Sequence, residues 1–320
     1  MLSILAITFP FFALIAAGYV CVVLTWIPVD AVRALNAFVL YVALPCMLFK
    51  FSAGLDMGTL LSQPFLPIYG LVGIGLFTLL LLFGRMRGIA WRNLSFAALV
   101  GVFPNTGFIG VPLAVSMLGS RAATPAIAIV LFDMIVTSSL SVATSTLDGH
   151  GWSSAGKASV AAIRGVFSNP MLWAMLAGIA MAVMHVRPGP VWHQPIWMMA
   201  DAATPVALFT IGGILARSRI DNTTPRPQHA SSAFVVAKLG LHPFMMWAAV
   251  WTAVKMGWQI ERWVAQTLIL MAALPSASNV SFLADRMGGD AAWVARVILW
   301  TTVGAFATLT MWAWWLGPAA

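Results

Sequence analysis

Apolar runs of about 18 or more residues recur from one end of the chain to the other, parted by short polar stretches that hold Gly, Pro and most of the basic residues. Each run can cross a hydrocarbon core of about 30 Å as a helix rising about 1.5 Å per residue. The pattern predicts ten spans, at 4–24, 33–49, 65–83, 94–118, 124–146, 166–185, 196–216, 232–256, 263–284 and 291–316. The second is short and ends at Pro45-Cys46-Met47-Leu48-Phe49-Lys50. The longest and most polar connection, 217–231, contains Pro225 and Pro227 and is expected to be a flexible connector. The chain opens on Met1-Leu2-Ser3-Ile4 without the basic residues that lead a cleaved signal peptide, so the first run is expected to remain as the first span.

Composition narrows this picture to a membrane protein. Of the 320 residues, 61% are hydrophobic and 8% charged, with a mean hydropathy of +0.93. A soluble domain carries about 25% charged residues, and so few charges would leave a soluble surface of this size unsolvated. The net charge of +8 does not point to nucleic acid, because the basic residues lie in the short loops. Cys21 and Cys46 both fall in apolar runs, which predicts neither a disulfide framework nor a metal site. No cofactor is expected.

With ten spans, the odd-numbered connections carry ten Lys and Arg residues and the even-numbered connections five. Basic loops stay cytoplasmic. Both termini are therefore expected on the periplasmic side of a bacterial inner membrane.

The two halves echo each other. Pro10 and Pro170, Ala17-Gly18 and Ala177-Gly178, Pro45 and Pro205, and Leu48-Phe49 and Leu208-Phe209 all stand 160 residues apart. Later pairs, Pro67 with Pro243 and Pro104 with Pro275, keep the order at larger offsets, as the longer connection at 217–231 requires. The division this predicts is a first five-helix repeat at 1–147, a cytoplasmic connector at 148–165 and a second five-helix repeat at 166–320. An odd number of spans per repeat forces the halves into opposite orientations. Inverted repeats are the mark of secondary transporters, whose solute site lies at the repeat interface near the midplane.

Two spans carry breakers at corresponding places. The fourth contains Pro104-Asn105-Thr106-Gly107 and, after it, Gly110-Val111-Pro112; the ninth contains Pro275-Ser276-Ala277-Ser278-Asn279. Proline lacks an amide donor and clashes with the preceding turn. The backbone groups it frees must be met by protein or by a wet cavity. Short polar side chains follow each proline and can meet those groups or a solute. The pattern predicts two discontinuous helices that cross at the centre, with half-helix N-termini offering amides to an anion. Pro104, Asn105, Thr106, Gly107, Pro275, Ser276, Ser278 and Asn279 are the candidate substrate-binding residues. Proline kinks tolerated by neighbouring helices are the plainer alternative.

Pro104-Asn105-Thr106 followed by Gly110-Val111-Pro112 resembles the crossover segment of the auxin efflux carrier family, which includes plant PIN-type exporters and bacterial malonate- and malate-type carriers. Ala273-Leu274-Pro275 resembles its second crossover, and Asp201 with Pro205, Leu208 and Gly212-Gly213 its seventh span. The likeness runs through essentially the whole chain, without the long central loop of many plant members. It implies an all-α, bile-acid-symporter-like fold: a scaffold domain beside a mobile transport domain that holds the crossed helices and moves as an elevator. It also implies that Asn105 lies at the substrate site. The auxin substrate itself does not carry over.

Ionisable groups inside a membrane are costly and are functional candidates by default. Asp133, Lys238 and Asp201 are the coupling or charge candidates. Their depths favour an Asp133–Lys238 pairing over Asp201–Lys238, and a buried pair that fixes helix packing is the competing role. Arg296 is expected to snorkel to the cytoplasmic interface. His242, inside the eighth span, is a candidate proton shuttle, whereas His150, His185, His193 and His229 lie in or beside loops. Most Trp residues sit near span ends, as an interfacial belt does.

No HExxH, GxSxG or intramembrane GxGD pattern is present, and Ser154-Ala155-Gly156-Lys157 fits SxxK only in a loop without companion motifs. The expected function is secondary active or facilitative transport of a small organic anion, a mono- or dicarboxylate of malonate, malate or auxin type, by alternating access. A channel or receptor, and more remotely an intramembrane enzyme, are the alternatives. Coupling to H+ is open, and Na+ is not excluded. The expected partners are the carboxylate, the lipid bilayer and a second copy in a homodimer, with no nucleic acid.

Overall fold

A computed structural model describes residues 2–147, 167, 169–186, 189–220 and 228–317. These residues are helical, and among them no strand longer than an isolated bridge occurs. The chain runs through α1 (Leu2–Val23), α2 (Val29–Phe38), α3 (Leu44–Ala53), the short α4 (Met57–Ser62), α5 (Phe65–Met86), α6 (Trp91–Val102), α7 (Val111–Leu118), α8 (Ala123–Phe132) and α9 (Ser138–Ser145). It continues through α10 (Pro170–Val183), α11 (Pro190–Ile220), α12 (Gln228–Val236), α13 (His242–Lys255), α14 (Arg262–Ala273), α15 (Val280–Arg286) and α16 (Ala291–Leu316).

Among the described residues, seven helical stretches are long and apolar enough to cross a membrane: Ala6–Val23, Asp30–Ala53, Phe65–Met86, Ser120–Ser145, Val191–Arg217, Ser231–Lys255 and Ala291–Leu316. The other three expected spans exist as shorter pieces. Residues 94–118 are split between α6 and α7, residues 263–284 between α14 and α15, and the sixth is the 14-residue α10. A helix of 14 residues reaches only about 21 Å. The connection at 148–165, with His150 and the Ser154–Lys157 motif, and the prolines of 217–231 lie outside the described residues.

Several long helices are interrupted by π-turns, in which the ladder takes in one extra residue. Three of them, Val39–Ala43, Thr106–Gly110 and Ala237–Leu241, end two residues before Pro45, Pro112 and Pro243. The cause is steric. A helical proline pushes against the carbonyl four residues back, here Tyr41, Phe108 or Leu239, and the wider turn moves that carbonyl aside. The fourth π-turn, Asp133–Thr137, has no proline. There the Asp133 carbonyl accepts both the amide and the hydroxyl of Ser138, the latter over 3.0 Å.

The helices pack as two groups. In one, α1 lies along α11, α10 lies along α3, and α11 also meets α3. In the other, α5, α6, α9 and α12–α16 share their contacts around α6 and α14. Lipid offers no hydrophobic drive for helices to associate, so close backbone approach through small residues takes its place. Gly18 and Gly178 show this directly. A Cβ at Gly18 would fall 1.9 Å from the carbonyl oxygen of Phe209, and one at Gly178 would fall 2.7 Å from that of Phe49. The two contacts are reciprocal: Gly178 stands 160 residues after Gly18 and Phe209 160 residues after Phe49, so each glycine meets the phenylalanine of the other half.

Candidate functional site

The site begins with two prolines. A residue before proline is driven out of the helical region. Phe103 (φ −82°, ψ 105°) and Leu274 (φ −62°, ψ 153°) are accordingly extended and close α6 and α14. The extended segments then pair antiparallel, with Pro104 opposite Ser276. The Asn105 amide donates to the Pro275 carbonyl over 2.8 Å, and the Ala277 amide donates to the Phe103 carbonyl over 3.0 Å. The two broken helices therefore meet through their backbones.

The groups freed by each break find specific partners. Pro104 has no N–H for the Val100 carbonyl, and the Ser276 hydroxyl donates to that oxygen instead, over 2.6 Å. The Ser276 amide is turned away from its own helix to the Thr301 hydroxyl, over 3.2 Å. That leaves the Ala272 carbonyl at the C-terminal end of α14, where the Lys238 ammonium donates to it over 2.9 Å. A cation is well placed there, because the helix dipole puts partial negative charge at that end.

Beside this crossing lies a narrow cleft with about 420 Å³ of empty space, its open mouth included. One wall is 103–108. Asp133 and Met134, then Ala277 and Asn279, form further walls, and Leu44, Leu48 and Met171 close it from the other helix group. Its polar groups are few and have little else to do. Thr106 Oγ1 and Asn279 Oδ1 are buried with no hydrogen-bond partner. The side chain of Asn105, 3% exposed, bonds to no other described residue. The amides of Gly107 and Phe108, in the first turn of a helical segment, take no acceptor among the described residues. The two free amides, the Thr106 hydroxyl and the side-chain NH2 groups of Asn105 and Asn279 are donors that can together hold a small anion, because buried polar groups left unpaired are costly.

Of the residues that sequence singled out, Pro104, Asn105, Thr106, Gly107 and Asn279 line the cleft, and Asp133 does too. Pro275 and Ser276 lie in the paired ribbon behind it, and the buried Ser278 lies beyond its lining.

The ionisable groups take partners other than those expected. Asp133 and Lys238 form no ion pair within the structure, although each acts electrostatically on the other. Asp133 instead accepts from the Tyr69 hydroxyl at 2.7 Å and from the Thr137 hydroxyl at 2.9 Å. Lys238 bonds to His242 Nδ1 over 2.9 Å as well as to Ala272, and His242 Nε2 is buried without a partner. Asp201 is exposed and pairs with Lys50 at 2.5 Å. Depth along a span is blind to rotation about the helix axis, and rotation selected these partners. Tyr69 and Lys50 were not singled out from sequence. A tyrosine inside an apolar span, one of three in the chain, is the signal that could have found Tyr69.

Long apolar helices, two of them broken and crossed beside a polar cleft, define an integral membrane protein of the transporter class. The chain belongs to the membrane transport protein family, the auxin efflux carrier-like group, whose profile matches residues 3–151 and 153–313. It is 28% identical over 316 residues to a protein of Rhizobium meliloti (strain 1021) named "Putative malonate transporter", covering 97% of this chain and 95% of that one. It is 23% identical over 303 residues to an "Uncharacterized transporter" of Methanothermobacter thermautotrophicus, covering 94% of each.

Proposed function

We propose that this protein is a secondary active or facilitative carrier of a small organic anion, a mono- or dicarboxylate of the malonate class. The anion binds in the cleft beside the crossing of 103–107 with 275–279. The observation that carries this reading is the convergence of uncommitted polar side chains from both broken helices, the hydroxyl of Thr106 and the amide of Asn279, whose NH2 can donate, on one cleft beside free backbone amides. The name of the Rhizobium relative supports malonate as the first acid to try.

The carrier works by alternating access of the elevator type. The group of α1, α3, α10 and α11 is the scaffold, and the group holding the crossing moves along it. The reading takes the chain as ten spans in two inverted five-helix repeats, 1–147 and 166–320, with both termini periplasmic in a bacterial inner membrane. The reciprocal Gly18–Phe209 and Gly178–Phe49 contacts support the repeat, since a two-fold relation maps one onto the other. A thermal-shift screen of purified protein against mono- and dicarboxylates tests the substrate class, because a ligand of the native state raises Tm by mass action. The expected result is a rise with malonate or a close analogue that is lost in Asn105→Ala. Shifts only with neutral or cationic solutes would refute the anion reading.

A further inference from the structure

Asp133 lines the same cleft that offers amides and unpaired polar groups to an anion. Asp133 is 2% exposed, so an ionised Asp133 and a bound carboxylate would face each other with little water between them. We infer that Asp133 is a proton-binding residue of the carrier, and that a carboxylate and a proton occupy the cleft together.

The surroundings of Asp133 suit both of its charge states. Its partners, Tyr69 and Thr137, are hydroxyls, which accept as readily as they donate. They donate to the ionised carboxylate; when the carboxyl is protonated, it can donate to one of them and still accept from the other. An arginine or lysine in contact would instead pin the group ionised. Lys238 acts on it only from a distance, its own ammonium committed to His242 and the Ala272 carbonyl. Tyr69 and Lys238 are the titratable groups that act on Asp133; no other charged group among the described residues does so.

Lys238 then has one counter-charge in each state of the cycle. In the empty carrier it is Asp133, ionised. In the loaded carrier it is the substrate carboxylate, and Asp133 holds the proton taken from solution. The buried net charge is the same in both states for each substrate charge compensated, which removes the cost of moving an unbalanced charge through a membrane. This rests on the carboxylate reading of the cleft.

The test uses the full-length protein in detergent with malonate as probe. Two quantities are read: malonate Kd against pH, and proton uptake on binding, followed with an indicator in weak buffer. Wild-type Kd is expected to rise about tenfold per pH unit above the midpoint, with one proton taken up per anion. Asp133→Asn, which mimics the protonated carboxyl, is expected to show neither the slope nor the uptake. Where that variant fails to fold, Tyr69→Phe and Thr137→Val serve. Each removes a donor to the ionised carboxyl and should move the midpoint to higher pH. Binding with a flat pH profile, uptake that persists in Asp133→Asn, or unmoved midpoints in both hydroxyl variants would overturn the proton assignment and leave the carboxylate reading standing. Failure of the wild type to bind any carboxylate would overturn both.

Discussion

The backbone amide of Asn105 donates to the carbonyl of Pro275, 170 residues further on, over 2.8 Å. With the return bond from Ala277 to Phe103, it joins two helices, each broken by proline, into one hydrogen-bonded crossing. Several variants test what holds that crossing together and what it does.

Ser276→Ala removes the hydroxyl that meets the Val100 carbonyl and adds no bulk. A buried carbonyl left without a partner costs about 1–3 kcal/mol. Thermal unfolding in detergent should show a lower Tm for Ser276→Ala than for Ser281→Ala, whose hydroxyl bonds only to the Ser278 carbonyl one turn back.

Lys238→Met strips the cation from the end of α14 and leaves Asp133 without its distant counter-charge. The Ala272 carbonyl left unmet costs about 1–3 kcal/mol, and the lost counter-charge adds to it. The double variant Lys238→Met with Asp133→Asn should recover part of that loss, because it also removes the stranded carboxylate. A double-mutant cycle in Tm measures this coupling, and strict additivity would show that the two groups do not act on each other.

Gly18→Ala and Gly178→Ala should both destabilise the packing of α1 on α11 and of α10 on α3. The added Cβ would meet backbone oxygen at 1.9 Å and 2.7 Å, and backbone has little room to yield. Overpacking costs about 1–3 kcal/mol. Gly75→Ala, where nothing lies within 4 Å of the new atom, should leave Tm unchanged or higher.

Lys50→Ala breaks the pair with Asp201 on an exposed surface. Such pairs are worth about 0–1 kcal/mol. Its Tm should stay close to that of the wild type, and a large loss would show that this pair does more than its exposure suggests.

The breaks at Pro104 and Pro275 are legible in the sequence because proline acts locally: a missing N–H and a pre-proline residue forced to extend need no tertiary information. The Gly18 and Gly178 register is legible too, since a repeat preserves its spacing whatever it packs against. The π-turns are less so. Pro45, Pro112 and Pro243 announce a disturbance, but whether it is a kink or an inserted residue depends on what neighbours allow, and the turn at Asp133 has no proline to announce it. Side-chain partners are the least legible. Asp133 and Lys238 lie at similar depth, yet the rotation of their helices gives one to Tyr69 and Thr137 and the other to His242 and Ala272. The length of the sixth expected span likewise falls short of the run, since Asn169 caps α10 with a bond to the Met171 amide and fixes where the helix starts.

The most direct measurement of carrier function is uptake of labelled malonate into proteoliposomes holding either the wild type or Asn105→Ala, reconstituted in equal amounts. Saturable uptake by the wild type and its near-complete loss in Asn105→Ala, with both proteins equally folded, is the result expected if the cleft beside the crossing carries the substrate. Equal uptake by the two proteins would contradict that placement.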